Sequence, residues 1–143
     1  MRISLDLSLD PGQYAFAHDV RVRFAETDAM GVAHHSSYVA WLEETRVAYL
    51  RALGHPYDAI RAGGHDFAVL ELFTQYRRSA RFEDVVTVHT RVAEVRGATF
   101  QMDYLLMIDD DVCALAATVH GVVDPDGRAA RAPAWLRELL RNA

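Results

Sequence analysis

Ser36-Ser37-Tyr38-Val39-Ala40-Trp41-Leu42-Glu43-Glu44-Thr45-Arg46-Val47-Ala48-Tyr49-Leu50-Arg51-Ala52-Leu53-Gly54 is the stretch that decides the fold class. Tyr38, Trp41, Leu42, Thr45, Ala48, Tyr49, Ala52 and Leu53 recur at spacings of three and four, which gathers them on one stripe of a helix. Ser36 and Ser37 are natural N-cap candidates, and Gly54 followed by Pro56 ends the element. A rod of about 27 Å with one apolar stripe needs a sheet or a second helix to lie on.

The flanking sequence supplies a sheet. Upstream, Phe16, His18, Val20, Val22 and Phe24 alternate with Asp19, Arg21 and Arg23, as in a strand with one buried face. That strand runs into Ala25-Glu26-Thr27-Asp28-Ala29-Met30-Gly31, a polar stretch that reads as a loop. Residues 1–15 form an N-terminal arm in which Ile3, Leu5, Leu7 and Leu9 alternate with polar residues, so a short strand or an extended arm is expected. Downstream, residues 67–75, 85–95, 99–108 and 112–123 read as four further strands. Their short connections predict an antiparallel meander. Pro133 then opens a closing helix within 133–143. Strand, long helix and four strands make an α+β layout, one curved antiparallel sheet wrapped around a central helix in a single domain, 1–143.

Composition narrows the function classes. Lys and Arg number 15 against 20 Asp and Glu, a net charge of −5, and phosphate-backbone binding needs the opposite surplus. Nucleic acid is therefore not the expected partner, although a local basic cluster can still meet a small anion. The single Cys113 cannot form an internal disulfide. Acids interrupt the first ten residues where a signal peptide needs an apolar run, and no stretch approaches the ~18 apolar residues of a membrane span. A cytoplasmic protein is expected.

Glu26, Asp28, His34 and His35 gather in the loop and at the helix start. The first N–H groups of a helix are unpaired and carry partial positive charge, so they can polarise a carbonyl. A nearby carboxylate can activate water or attack directly. Together they make a minimal acyl-transfer site without a metal. The plainer alternative is that acids near a helix N-terminus merely cap it and complement its dipole.

The run Phe24-Ala25-Glu26-Thr27-Asp28-Ala29-Met30-Gly31-Val32, set before a helix beginning His34-His35-Ser36-Ser37-Tyr38, resembles the signature of hotdog thioesterases of the 4-hydroxybenzoyl-CoA thioesterase type. The resemblance extends through Tyr76-Arg77-Arg78-Ser79-Ala80-Arg81-Phe82-Glu83-Asp84, the Arg96-Gly97 turn and the segment from Val123 to Pro133, covering roughly residues 16–135. It implies a hotdog fold and hydrolysis of an acyl-CoA thioester. Asp28 matches the catalytic carboxylate, His35 the position whose backbone N–H faces the thioester carbonyl, and Tyr38 a pocket-side aromatic. It also implies a homodimer with one continuous sheet, often doubled to a homotetramer, with sites between subunits. No cofactor is implied, since coenzyme A arrives as part of the substrate. Ser37 stands where relatives often carry Asn, and Ser79 where many carry Pro.

On this reading Tyr38, Trp41 and the strand from Phe67 to Phe73 line the acyl pocket. Arg77, Arg78, Arg81 and Arg96 are candidates to meet the phosphates of coenzyme A, each weighed against plain solvation. Glu26 is expected to be an exposed loop partner of Arg21 or Arg23, and Glu43 to pair with Arg46. Glu44 is held in reserve as an alternative carboxylate. No metal site is expected: His34 and His35 diverge by roughly 100° around a helix, and no Cys or further His stands at ligand spacing. His18, His89 and His120 are expected to be packed or solvated, and Cys113 to be a small core residue. Two rival functions remain. One is a hotdog hydratase or dehydratase using His34 or His35 beside Asp28; the other is a non-catalytic acyl-CoA or acyl-carrier binding protein.

Overall fold

The long helix runs from His35 to Ala52 (α1) in the computed structural model, which describes residues 1–141. Neither serine caps it. His34 holds an extended conformation (φ −63°, ψ 141°), and its Nδ1 accepts from the Ser36 N–H at 3.1 Å. An imidazole nitrogen thus does what a serine oxygen was expected to do, two residues before Ser36. Ser37 instead donates its hydroxyl to the Glu26 carbonyl at 3.0 Å. At the other end the chain turns at Gly54, whose φ of +86° a side chain would strain. A short helix not foreseen from the periodicity, Tyr57–Ala62 (α2), follows.

The strands are Phe16–Arg21 (β1), Asp66–Tyr76 (β2), Val85–Arg96 (β3), Thr99–Ile108 (β4) and Asp111–Val123 (β5). All pairs are antiparallel, in the order β1-β3-β4-β5-β2. Three of the four downstream strands form the expected meander; β2 does not join it beside β3. It pairs with β5 at the far edge, so residues 77–84 must cross from one side of the sheet to the other. A short connection here does not mean a neighbouring strand. Ala134–Arg141 (α3) closes the described chain, and the last two residues of the expected 133–143 helix lie outside the described residues.

Against the concave face lies a helix face made of Tyr38, Trp41, Leu42, Thr45, Arg46, Tyr49 and Leu50. It is rotated from the expected stripe, taking in Arg46 and Leu50 and leaving Ala52 exposed. Val86, Val88, Phe100, Met102, Tyr104 and Leu106 meet it from the sheet. Each such side chain contributes on the order of 1.5–3 kcal/mol when fully buried. The result is the hotdog architecture, an antiparallel sheet curled around one helix. Phe24 falls beyond β1 in a short 3-10 turn and is 75% exposed, so the alternating face ends before it.

β4 is buried on both faces because the N-terminal arm covers the outer one. The Ile3 N–H donates to Glu71 Oε1 at 2.7 Å, on β2. The Gln101 side chain accepts from the Ser4 N–H at 2.8 Å and donates to the Ser4 carbonyl at 2.9 Å, as a neighbouring strand would. Further along, Tyr14 lies under the Arg91 guanidinium, 5.0 Å from ring to cation. The arm is extended but forms no strand.

Candidate active site

The loop between β1 and α1 is a closed turn. Thr27 and Ala33 form an antiparallel bridge, the Asp28 N–H donates to the Val32 carbonyl at 2.9 Å, and the Gly31 N–H returns to the Asp28 carbonyl at 3.0 Å. Gly31 sits at φ +78°, the left-handed conformation this turn requires. Asp28 therefore has a fixed backbone. Its Oδ1 accepts from the Met30 N–H at 2.8 Å, and Oδ2 takes no hydrogen bond among the described residues.

The crossing segment meets this turn. The Ala33 N–H donates to the Ala80 carbonyl at 2.7 Å, Val32 bridges Arg81, and the Arg77 and Arg78 N–H groups both donate to the Cys113 carbonyl. A cleft of about 300 Å³ opens where turn, helix start and crossing segment converge, lined by Asp28, Ala33, His35, Tyr38, Tyr76 and residues 77–79. In the first turn of α1 the Ser36 N–H goes to His34 Nδ1 and the Ser37 N–H to the His34 carbonyl. No acceptor among the described residues takes the His35 N–H. Asp28 and the first residue of α1, whose N–H has no acceptor among the described residues, thus line one cleft, an arrangement that acyl transfer can use.

The aromatic wall is layered. Tyr76 meets Tyr38 edge to face at 4.9 Å, and Tyr38 packs on Trp41 at 4.6 Å. Burial, with Cys113 close by at 4.0 Å, pushes the Tyr38 phenol well above its ordinary value, so it remains a neutral hydroxyl. Larger pockets border α2 and α3, but neither is lined by Asp28, His35 or Tyr38.

Asp28, His35, Tyr38, Arg77 and Arg78 thus come together. Trp41 does not reach the cleft: it is 2% exposed and donates through Nε1 to Glu26 Oε2 at 2.9 Å. Phe67 packs against Phe100 and Tyr57, away from the cleft. Glu26 pairs with Arg23 as expected, at 3.4 Å, but it is buried, not exposed. Burial alone would raise its pKa; the hydrogen bonds from the Arg23 N–H, Trp41 and the Arg23 guanidinium outweigh that and lower it. Glu44 faces His18 at 2.9 Å, and Glu43 reaches Arg46 only at 4.0 Å. Arg78 pairs with Asp111 at 2.8 Å, Arg77 bonds Gln75, and Arg96 pairs with Glu94 outside the cleft. Among the described residues no three His, Cys, Asp or Glu side chains converge as metal ligands do, and no helix is long and apolar enough to cross a membrane. Sequence reasoning missed Tyr76; its place just before Arg77-Arg78 at a strand end was the available signal.

A curled sheet around a helix whose N-terminus opens into a polar cleft is the build of hotdog-fold enzymes. Comparison with known proteins agrees. Residues 22–140 match the family model described as the thioesterase-like superfamily. The acyl-CoA thioesterase YbgC of Haemophilus influenzae is 36% identical over 110 residues, 76% of this chain and 81% of that protein. A crystal structure of a protein from Thermus thermophilus superposes with a TM-score of 0.81 at 38% identity, covering 88% of this chain and 97% of that one. Another, from Aquifex aeolicus, gives a TM-score of 0.83 at 34% identity over 88% of this chain and 99% of that one. This chain belongs to the thioesterase-like superfamily.

Proposed function

We propose that the chain hydrolyses an acyl-CoA thioester to the free acid and coenzyme A. The observation that carries this is that His35, whose N–H has no acceptor among the described residues, lines the same cleft as Asp28. The thioester carbonyl oxygen takes the His35 N–H, which stabilises the negative charge that develops on it. Asp28 either removes a proton from water as it attacks the carbonyl carbon, or attacks itself to give a mixed anhydride that water then opens. In both routes the C–S bond breaks and the thiol leaves with a proton. Tyr38 and Tyr76 border the acyl group. Arg77 and Arg78, at the rim, meet the phosphates of coenzyme A. The name of the Haemophilus relative, an acyl-CoA thioesterase, supports the substrate class. A proton-transferring dehydratase draws no comparable support: His34 Nδ1 is taken up by Ser36, and the His35 side chain is exposed.

No cofactor is consumed, and turnover survives EDTA. The working unit is a homodimer or homotetramer in the cytoplasm. β2 is an edge strand with Val69, Leu70 and Leu72 about half exposed, and a second copy pairing there extends the sheet. Tyr76, at the end of the same strand, then stands next to the interface.

A panel of acyl-CoAs assayed with a thiol reagent tests the proposal, because hydration or simple binding releases no thiol. Asp28→Asn should lower kcat by roughly 10²–10⁴. Retention of more than about a tenth of turnover by Asp28→Asn, with loss in Glu44→Gln, would mean the wrong carboxylate has been chosen.

A further inference from the structure

Glu26 lies two residues before Asp28 and is 9% exposed. Each of its oxygens is occupied. Oε1 accepts from the Arg23 N–H at 2.8 Å; Oε2 accepts from Trp41 Nε1 at 2.9 Å, and more distantly from the Arg23 guanidinium. Its main-chain carbonyl accepts from the His34 N–H at 2.7 Å and from the Ser37 hydroxyl at 3.0 Å. One residue thus holds the end of the β1 segment, the helix cap and the second turn of α1. Between the points it ties together lies the turn that carries Asp28. We infer that Glu26 is a positioning residue of the cleft, fixing Asp28 and the His35 N–H relative to each other while touching no substrate.

This role rests on the hydrolysis proposed above. Its signature is chemical. A carboxylate accepts at both ends, and both ends here face N–H donors. Gln is nearly isosteric but carries an NH₂ at one end, which must oppose either the Arg23 N–H or Trp41 Nε1–H. Replacing Trp41 by Phe removes the buried donor, so a Gln can then turn its oxygen to the Arg23 N–H and leave its NH₂ facing only the more distant Arg23 guanidinium, whose exposed side chain can swing into solvent. Trp41→Phe should therefore rescue Glu26→Gln, an outcome that lost packing alone does not produce.

The experiment measures kcat and KM for an acyl-CoA that the wild type hydrolyses, with thermal melting and oligomer size, in Glu26→Gln, Trp41→Phe, the double variant and Asp28→Asn. Glu26→Gln should lower kcat by up to about 10²-fold, since small misplacements at a reacting centre cost that much. KM should stay within about twofold, and the double variant should recover about tenfold or more of the lost kcat. If Glu26→Gln cannot be obtained folded, Glu26→Asp serves instead: it keeps the charge but is too short to reach both donors, and should show the same loss in kcat with KM retained. Wild-type kcat in folded Glu26→Gln or Glu26→Asp, or a double variant no better than Glu26→Gln, overturns the inference. Asp28→Asn separates the two levels. If it is dead while Glu26→Gln is fully active, only the positioning role fails; if it is active, the proposed chemistry fails first.

Discussion

The Tyr76 hydroxyl donates to the His35 carbonyl at 3.3 Å, so the last residue of β2 holds the first residue of α1. Strand edge and helix start are thereby linked at the peptide next to the proposed oxyanion donor. Tyr76→Phe keeps the ring against Tyr38 and loses only this bond. With a net value near 0.5–1.5 kcal/mol for such a bond, kcat should fall roughly 2–10-fold. Steady-state kinetics check this; a larger loss would give the hydroxyl a direct part in the reaction.

His35 allows a clean separation of main chain from side chain. It is the first residue of α1, where proline is well tolerated, and His34 before it already has the extended conformation that a residue preceding proline adopts. His35→Pro should therefore fold, lack the N–H, and lose roughly 10²–10³ in kcat. His35→Ala keeps the donor and should keep most of the activity. Ser36→Pro is informative too: it removes the N–H that caps onto His34 Nδ1, so it should cost stability, about 0.5–2 kcal/mol, in a melting experiment. An inactive, well-folded His35→Ala would shift the chemistry to the imidazole and revive the dehydratase.

The proposed assembly through the β2 edge can be tested directly. Replacing Val69 and Leu72 together by Lys places two charges on the open edge, as natural edge strands do to block pairing. Light scattering should show the wild type as a dimer or larger and the double variant as a monomer. A wild-type monomer at micromolar concentration would sink the shared-interface site.

Acid stability should report on His120. It is fully buried, stacked on Phe100 at 4.8 Å, with Nε2 at 2.7 Å from Thr118 Oγ1 and Nδ1 without a partner among the described residues. Burial, reinforced by the Arg46 charge, pushes its pKa from 6.5 down to about 3. The unfolded chain therefore binds a proton below pH ~6.5 that the folded chain refuses until pH ~3. Stability is lost as pH falls through that window, with a slope approaching about 1.4 kcal/mol per pH unit from this group. In urea unfolding, His120→Gln should flatten that part of the pH profile. An unchanged profile would mean that His120 takes up its proton at similar pH in both states.

The fold was legible because its parts repeat at short range. Tyr38, Trp41, Leu42 and Tyr49 announce a helix with one buried face, and residues 99–108 match β4 at both ends. Asp28, His35 and Tyr38, picked out through a motif compact enough to quote, do line one cleft. What escaped depends on partners distant in sequence. A glutamate in a polar loop looks solvated until Trp41 is seen behind it, fifteen positions on. Nothing local in residues 77–84 says that they cross the sheet. Trp41 fell on the right face of the helix, but facing the core does not mean facing the cleft.

The strand order has a consequence for how the molecule comes into being. β3, β4 and β5 are joined by tight turns and can pair as soon as they meet. β1 pairs with β3 only from Phe16 to Thr90, and β2 with β5 only from Asp66 to Val123. Contacts between such distant residues form slowly, because long loops must close first. During synthesis β2 therefore emerges before β5, its neighbour in the sheet, exists, with Val69, Leu70 and Leu72 unpaired. The helix carrying His35 and the turn carrying Asp28 are made early, yet they face no cleft until residues 77–81 are drawn across. On the chemistry proposed above, catalytic competence thus waits on this crossing, and the interval before β5 is made is when the apolar edge of β2 most needs shelter.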